Sequence, residues 1–430
     1  MIWCPYSCET AEHRVTRRAF LGGSLMGAGS LMGFGGLTSS AAAKELSKSQ
    51  KRVVVIFLSG GVSQLETWDP KPGTDTGGPF KAIPTSVPGT HICELLPETA
   101  KLMHRQVLVR GINTTDDDHG RGAVQMLTGR KPDPAFQYPE IGAVAAKLLS
   151  TGSEELPGHI QITPGGGSGF NKQDAAFLGP KFASVTLADG KPPADLFRPA
   201  ALTTTADQER EALRKKLNDR FAKSRRTAQT EAYTESYDQA AKFIAKGDVL
   251  SIGMEDPKVA DRYGRHDFGR HMLLARRLLE QGVTFVKVTH TNYDTHHENF
   301  DFHIEQLGEF DRPYAALLTD LAERGMLEST LVIVMAEFGR TPRINERYGR
   351  DHWSKAWSIA MAGCGLKAGA VVGKTNANGT AVTEREVHGG HLFHTYFKAL
   401  GVDSTKNFYP KDRPIPIADP KAAAITEVLV

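Results

Sequence analysis

The sequence predicts an α/β protein built on a doubly wound, mostly parallel sheet with helices on both faces. Three observations carry this reading. Apolar, β-branched runs without polar alternation recur along the chain, as in VVVIFL (53–58) and LVIVMA (331–336), the pattern of strands buried on both faces. Segments with helical periodicity separate these runs, so strand and helix alternate, as right-handed crossovers in a parallel sheet require. Several runs also stop abruptly at glycine or at a charged residue, where a strand enters a turn at a sheet edge.

The elements follow in order. VVVIFLSGG (53–61) reads as a central strand entering a glycine turn, followed by a Gly-, Pro- and Thr-rich loop over 62–90 that holds Glu66, Trp68 and Asp69. LLPETAKLM (95–103) reads as a short helix and QVLVRGI (106–112) as a strand. In DDDHGRGAVQMLTGR (116–130) a charged loop leads into a helix marked by Ala123, Met126 and Leu127 and closed near Gly129. IGAVAAKLL (141–149) is helical and HIQIT (159–163) is a strand. The run Gly165 to Gly169 lacks the Lys-Ser/Thr ending of a phosphate loop and reads as a surface loop. Residues 205–247 are highly charged with helical periodicity, an insertion of one or two surface helices. HDFGRHMLLARRLLEQGV (266–283) is an amphipathic helix closed by Gly282 before the strand TFVKVT (284–289). A long helix over 302–327 precedes the strand 331–336, AWSIAMAG (356–363) is a further strand, and HLFHTYFKALG (391–401) is a helix ending at Gly401.

Composition limits the function classes. The 430 residues are 40% hydrophobic and 23% charged, ordinary for a soluble globular chain. A formal net charge of +3 is too small to point to a nucleic-acid partner. Residues 1–43 read as a twin-arginine signal peptide: Arg17 and Arg18 lie in TRRAFL, a Gly-rich, weakly apolar stretch runs to Leu37, and Ala41 to Ala43 offer a cleavage site. So many glycines argue against a stable membrane span. The expectation is export by the twin-arginine machinery to the periplasm or the exterior, leaving 44–430 as one α/β domain. Cys93 and Cys364 stay in that mature chain and allow one disulfide at most.

Residues with chemistry to offer collect at strand ends. The strand 284–289 runs into HTNYDTHHENFD, which supplies His290, Asp294, His296 and His297. The strand 331–336 ends at Glu337, with Arg340 and Arg343 close behind, and GRDHW (349–353) adds Asp351 and His352. Imidazoles and carboxylates at one sheet edge suit a divalent metal. Asp294 and His296 can present an oxygen and a nitrogen to one ion, and His352 completes a three-ligand site with an open position. The donor set fits Zn, Mn or Fe. A plainer reading makes Asp294 a helix cap and bonds His296 to a loop carbonyl. His388, His391 and His394 lie in an amphipathic helix without carboxylates and read as packed or exposed side chains. No Ser-His-Asp order or nucleophile elbow is present.

On these motifs the chain resembles a known family. GGVSQLETWDPKP (60–72), DHGRG…LTGRKP, LLARRLLEQGV, YDTHHENF, EFGRTPRIN and GRDHW, spread from about residue 51 to 405, look like the exported bacterial DUF1501 proteins, which are similar in fold to the alkaline phosphatase and sulfatase superfamily. The resemblance implies hydrolysis of phosphate or sulfate esters, on small molecules or polysaccharides, at a divalent ion such as Zn, Mn or Ca. It implies metal-binding roles for Asp294 with His296 or His297, for Glu337 and for His352, beside which Asp351 is a further candidate ligand. His119 falls at the position of the sulfatase nucleophile, and Arg121 and Arg340 are candidates to pair the anion bidentately. Two positions depart from the superfamily pattern. Ser59-Gly60-Gly61 stands where the first strand ends in a metal-binding Asp, with Glu66 or Asp69 as candidate substitutes. His119 replaces Ser, Thr or Cys, and can act as a nucleophile, a general acid/base or another ligand. These departures leave a second expectation, a non-catalytic binding or assembly protein that keeps the fold, and the resemblance implies a third, a metal-dependent transferase or isomerase, since the superfamily also contains those.

Overall fold

The structure, a computed structural model, describes residues 50–150, 155–166, 169–171, 173–192, 202–224, 228–250 and 255–430. The expected twin-arginine segment, and Gly167 and Ser168 of the glycine run, lie outside the described residues. Among the described residues nine strands form the main sheet: β1 (Arg52–Leu58), β2 (Gln106–Ile112), β3 (His159–Thr163), β4 (Gly169–Asn171), β5 (Ser184–Ala188), β6 (Phe285–His290), β7 (Thr330–Met335), β8 (Trp357–Gly363) and β9 (Val371–Val372). Their spatial order is β9-β2-β8-β7-β1-β6-β3-β5-β4. Only β8, between β2 and β7, and the edge strand β4 run against the rest. The sheet is therefore mostly parallel, as the alternation of elements predicts.

The helices are α1 (Pro97–Lys101), α2 (His119–Thr128), α3 (Ile141–Leu149), α4 (Thr204–Ser224), α5 (Ala228–Ala245), α6 (Pro257–Tyr263), α7 (Asp267–Glu280), α8 (Asn299–Glu323) and α9 (Gly389–Ala399). Side chains of β1 alternate between two cores. Val54, Ile56 and Leu58 join Met272 and Leu273 of α7 and Leu307 and Phe310 of α8. Val53, Val55 and Phe57 join Met126 of α2, Ile141 and Val144 of α3, and Tyr396 of α9. Burial on both faces is why this strand shows no polar alternation, and each buried Val, Leu or Ile contributes about 1.5–3 kcal/mol.

α2 starts earlier than its apolar spacing predicts. Asp118 caps it by accepting from the Arg121 N–H at 2.9 Å, which draws His119 out of the charged loop and onto the first turn. At the other end Gly129 takes the left-handed conformation, φ 70°. The charged insertion folds as α4 and α5. Among the described residues no helix is long and apolar enough to cross a membrane. Cys93 and Cys364 are both buried and unpaired, and burial pushes the Cys93 thiol up to about 12.

The topology brings the C-terminal ends of β1, β6 and β7 into line, with Leu58 opposite His290 and Phe57 opposite Met335. Ligands bind at such an edge in open α/β sheets. Gly60, just past β1, has φ 113°, and a Cβ there would stand 2.4 Å from the Asp294 nitrogen. Only glycine lets the β1 turn approach the loop after β6 this closely.

Candidate metal centre

Four segments converge at that edge. The loop after β6 carries Asp294 and His296, Glu337 follows β7, and His119 opens α2. A two-stranded ribbon pairs Gly339–Arg340 with His352–Trp353 and returns His352 to the same place. Gly349 has to be small for this return, because a Cβ would lie 2.1 Å from the His296 carbonyl.

Three atoms form a tight triangle. His296 Nε2 lies 3.0 Å from His352 Nε2 and 3.1 Å from Asp294 Oδ1, and His352 Nε2 lies 3.2 Å from the same oxygen. The remaining ring nitrogens face groups that only accept: His296 Nδ1 is 2.7 Å from the Asp351 carboxylate, and His352 Nδ1 is 2.7 Å from the Asp117 carbonyl. Each Nδ1 therefore carries a proton, and in the neutral imidazoles each Nε2 turns a lone pair toward the other and toward Asp294. Such a crowd of lone pairs needs a cation or added protons at its centre.

His119 completes the group. His119, Asp294 and His352 each offer a ligand atom, all within 4.8 Å of one another. His119 Nε2 lies 3.3 Å from Asp294 Oδ2, and its Nδ1 donates to Glu337 Oε1 at 2.7 Å. The same Glu337 oxygen accepts the Gly60 N–H at 2.9 Å, while its buried Oε2 has no hydrogen-bond partner. The Phe338 ring packs against both His119 and His352, with centroids 4.9 and 4.5 Å away, and fixes one wall of the cluster.

Arg340 sits behind the cluster and is fully buried. It donates through Nε to the Gly61 carbonyl at 2.9 Å, through Nη1 to the Arg350 carbonyl at 3.0 Å, and through Nη2 to the Gly60 carbonyl and to Asp294 Oδ1. Partial burial disfavours charge on Asp294. The hydrogen bond and charge of Arg340 outweigh that and hold the carboxyl down at about 2. Asp294 is therefore a carboxylate across the physiological range.

The structure brings together His119, Asp294, His296, His352 and Glu337, and it puts the other candidates elsewhere. Arg340 does not face a substrate, because its N–H groups are spent on backbone carbonyls and Asp294. Arg121 is exposed and pairs with Asp116 at 3.1 Å. His297 is turned away, its ring beside Phe302. Asp351 stands behind His296 rather than among the donors. Neither proposed substitute for the missing aspartate reaches the cluster: Glu66 pairs with Arg350 at 2.8 Å, and Asp69 with Lys71 at 2.9 Å. His394 is held by Ser404 and the Asp419 carbonyl in the body of the fold.

A cavity of about 670 Å³ opens beside the centre, lined among others by His296, Asp351, Arg343, Asn345, Glu346 and Arg347. Sequence reasoning missed Asn345 and Arg347. The Asn345 side chain ties the segment to the His296 carbonyl, a contact across 49 residues that no local pattern announces.

The donor set fits a divalent ion. Ligand atoms bonded to one ion at about 2.0–2.2 Å stand roughly 3–3.5 Å apart, the spacing of the His296, His352 and Asp294 atoms. The acceptors behind both imidazoles are those that orient metal-binding histidines.

No curated protein matches the chain significantly in sequence. Among solved structures, the chain is similar to a protein in the alkaline phosphatase superfamily from Vibrio parahaemolyticus, at 12% identity and a TM-score of 0.37, over 83% of this chain and 68% of that one. It is similar to the alkaline phosphatase of the Antarctic bacterium TAB5, at 16% identity and a TM-score of 0.35, over 82% and 99%. A lipoteichoic acid synthase from Listeria monocytogenes shows 7% identity and a TM-score of 0.36, over 85% and 76%. The model of the family described as "Protein of unknown function (DUF1501)" matches residues 50–429, nearly the whole chain, and the protein belongs to that family.

Proposed function

We propose that the protein is an exported, metal-dependent hydrolase of anionic esters, phosphate or sulfate. The observation that carries this reading is the convergence of His296 Nε2, His352 Nε2 and Asp294 Oδ1 at 3.0–3.2 Å, with both imidazoles oriented from behind. In this reading those three side chains hold the ion. Held there, a divalent ion would supply Lewis acidity to an ester oxygen and lower the pKa of bound water toward about 7.

The protein's own groups do the rest. Arg340 keeps Asp294 ionised and aimed. Asp351 and the Asp117 carbonyl keep the two imidazoles in the tautomer that presents Nε2. His119, tethered by its Nδ1–H to Glu337, keeps Nε2 on the reacting side, where it moves a proton to or from the ester oxygen. Glu337 is itself fixed by the Gly60 N–H and stabilises the imidazolium that this transfer creates. The twin-arginine pattern at Arg17 and Arg18 supports export as a folded protein.

A second reading has a specific observation in its favour. The superfamily positions taken by His119 and Ser59-Gly60-Gly61 have lost their usual nucleophile and metal-binding Asp, as expected of a binding or assembly protein that keeps the fold. One experiment separates the two. Mature protein is assayed for metal content and for turnover of an aryl phosphate and an aryl sulfate, alongside His352→Ala and His119→Gln. The hydrolase reading expects His352→Ala to lose metal and activity, and His119→Gln to keep metal while turnover falls about 10²–10⁴-fold. Bound metal with no turnover of either ester favours the binding protein.

A further inference from the structure

The cavity beside the candidate metal centre is larger than one ester group needs. At about 670 Å³ it falls in the range of sites that enclose a whole small molecule. His296 and Asp351 line it on behalf of the metal centre, and Arg343 and Arg347 line it from the segment 341–350. One carboxylate outside the centre, Glu346, faces the same space.

That segment is preorganised. Asn345 donates to the His296 carbonyl at 3.0 Å, and its Oδ1 accepts the N–H groups of Arg347 and Gly349 at 3.0 and 2.9 Å. From β6's side, Glu298 N–H bonds to the Arg347 carbonyl and Asn299 N–H to the Tyr348 carbonyl, both at 3.0 Å. At its end the fully buried Arg350 binds Glu66 and the carbonyls of Thr341, Pro342 and Thr76. The backbone is pinned from several sides, while the side chains of Arg343 and Arg347 are exposed. Two guanidinium groups on a rigid segment beside a metal centre suit a sulfate or phosphate, which arginine pairs bidentately.

We infer that Arg343 and Arg347 bind a second anionic group, so that the substrate class is a polyanionic ester, a molecule with at least two sulfate or phosphate groups. This rests on the reading of the centre as one that acts on anionic esters, and it adds a specificity site that neither Arg121 nor Arg340 provides.

The test is equilibrium binding to the mature, metal-loaded protein in 0.15 M salt, with a dextran sulfate oligosaccharide, inositol hexakisphosphate and methyl sulfate as probes. At least one polyanion is expected to bind roughly tenfold or more tighter than methyl sulfate, and the Arg343→Gln/Arg347→Gln variant to lose that margin, on the scale of charge-assisted hydrogen bonds. Preference for the dextran sulfate assigns an extended glycan, and preference for the hexakisphosphate a compact polyanion. Lys215→Gln/Lys216→Gln on α4, a helix that contributes nothing to this cavity, removes the same charge and is expected to leave binding unchanged. Equal binding by wild type and the arginine variant overturns the inference, as does an equal loss in the lysine variant. Arginine-dependent polyanion binding without turnover of either polyanion or of an aryl ester sinks the hydrolase reading and leaves this site standing.

Discussion

Two charged clusters share one sheet edge, and they solve the problem of charge in opposite ways. Around Glu66, the carboxylate and the Arg350 guanidinium meet at 2.8 Å with both side chains fully buried. Burial opposes charge on Glu66, but Arg350 and then His303 outweigh it and hold its carboxyl below the ordinary value. This cluster contains its own counter-charge. A few residues away, His296, His352 and Asp294 bring three donor atoms within 3.2 Å, and Arg340 answers only one of them. The first cluster balances its charge within the chain, whereas the second leaves its lone pairs to be met by a cation or by added protons. Structural charge and functional charge are thus distinguished by whether the protein balances them.

The largest expected effect breaks the first cluster. Arg350→Met leaves Glu66 buried and uncompensated and should cost about 3–5 kcal/mol, read from urea unfolding. Glu66→Met/Arg350→Met should recover most of that loss, because a buried pair replaced whole by apolar side chains is often neutral. No recovery in the double variant would show that Arg350 acts mainly through its carbonyl contacts.

His352→Ala should behave oppositely. Metal content should fall to background, while the metal-free variant unfolds within roughly 1 kcal/mol of metal-free wild type, since a half-exposed cluster of like groups gives the apo fold little. A large loss of apo stability would place this cluster with the first.

A smaller effect is expected one step out. Asp351→Asn weakens the acceptor that orients His296 and should lower metal affinity about 10–100-fold, measured by competition with a chelator, without loss of fold. Unchanged affinity would remove Asp351 from the site.

The smallest effect is in pH. The carboxyl of Asp294 lies at about 2 in the folded chain, below the unfolded value of about 3.9. A depressed carboxylate contributes stability above its unfolded value and loses it as pH falls toward the folded one. The stability difference between metal-free wild type and Asp294→Asn should therefore be flat from pH 7 to about 4.5 and shrink below about 4. A difference that drifts near neutrality would assign the dependence to other groups.

Much of this was legible in the sequence because buried parallel strands announce themselves. The ends of β1, β6 and β7 followed from apolar runs, and the spacing of Asp294 and His296 beside a strand end pointed to the centre. The direction of β8 was not legible, since periodicity reports burial and not polarity of the chain. The role of Arg340 was not legible either. An arginine after a strand looks the same whether it faces a ligand or, as here, three backbone carbonyls and a carboxylate. The Glu66–Arg350 pair joins residues 284 apart, and only the folded chain shows that these charges belong to each other.

The cluster of His296, His352 and Asp294 is expected to be incomplete without a metal ion. Elemental analysis of the purified protein, with His352→Ala as its control, is the direct test. Stoichiometric divalent metal is expected in the wild type and none in the variant. Wild-type protein that is purified without metal and takes up neither Zn, Mn nor Ca on titration would contradict it.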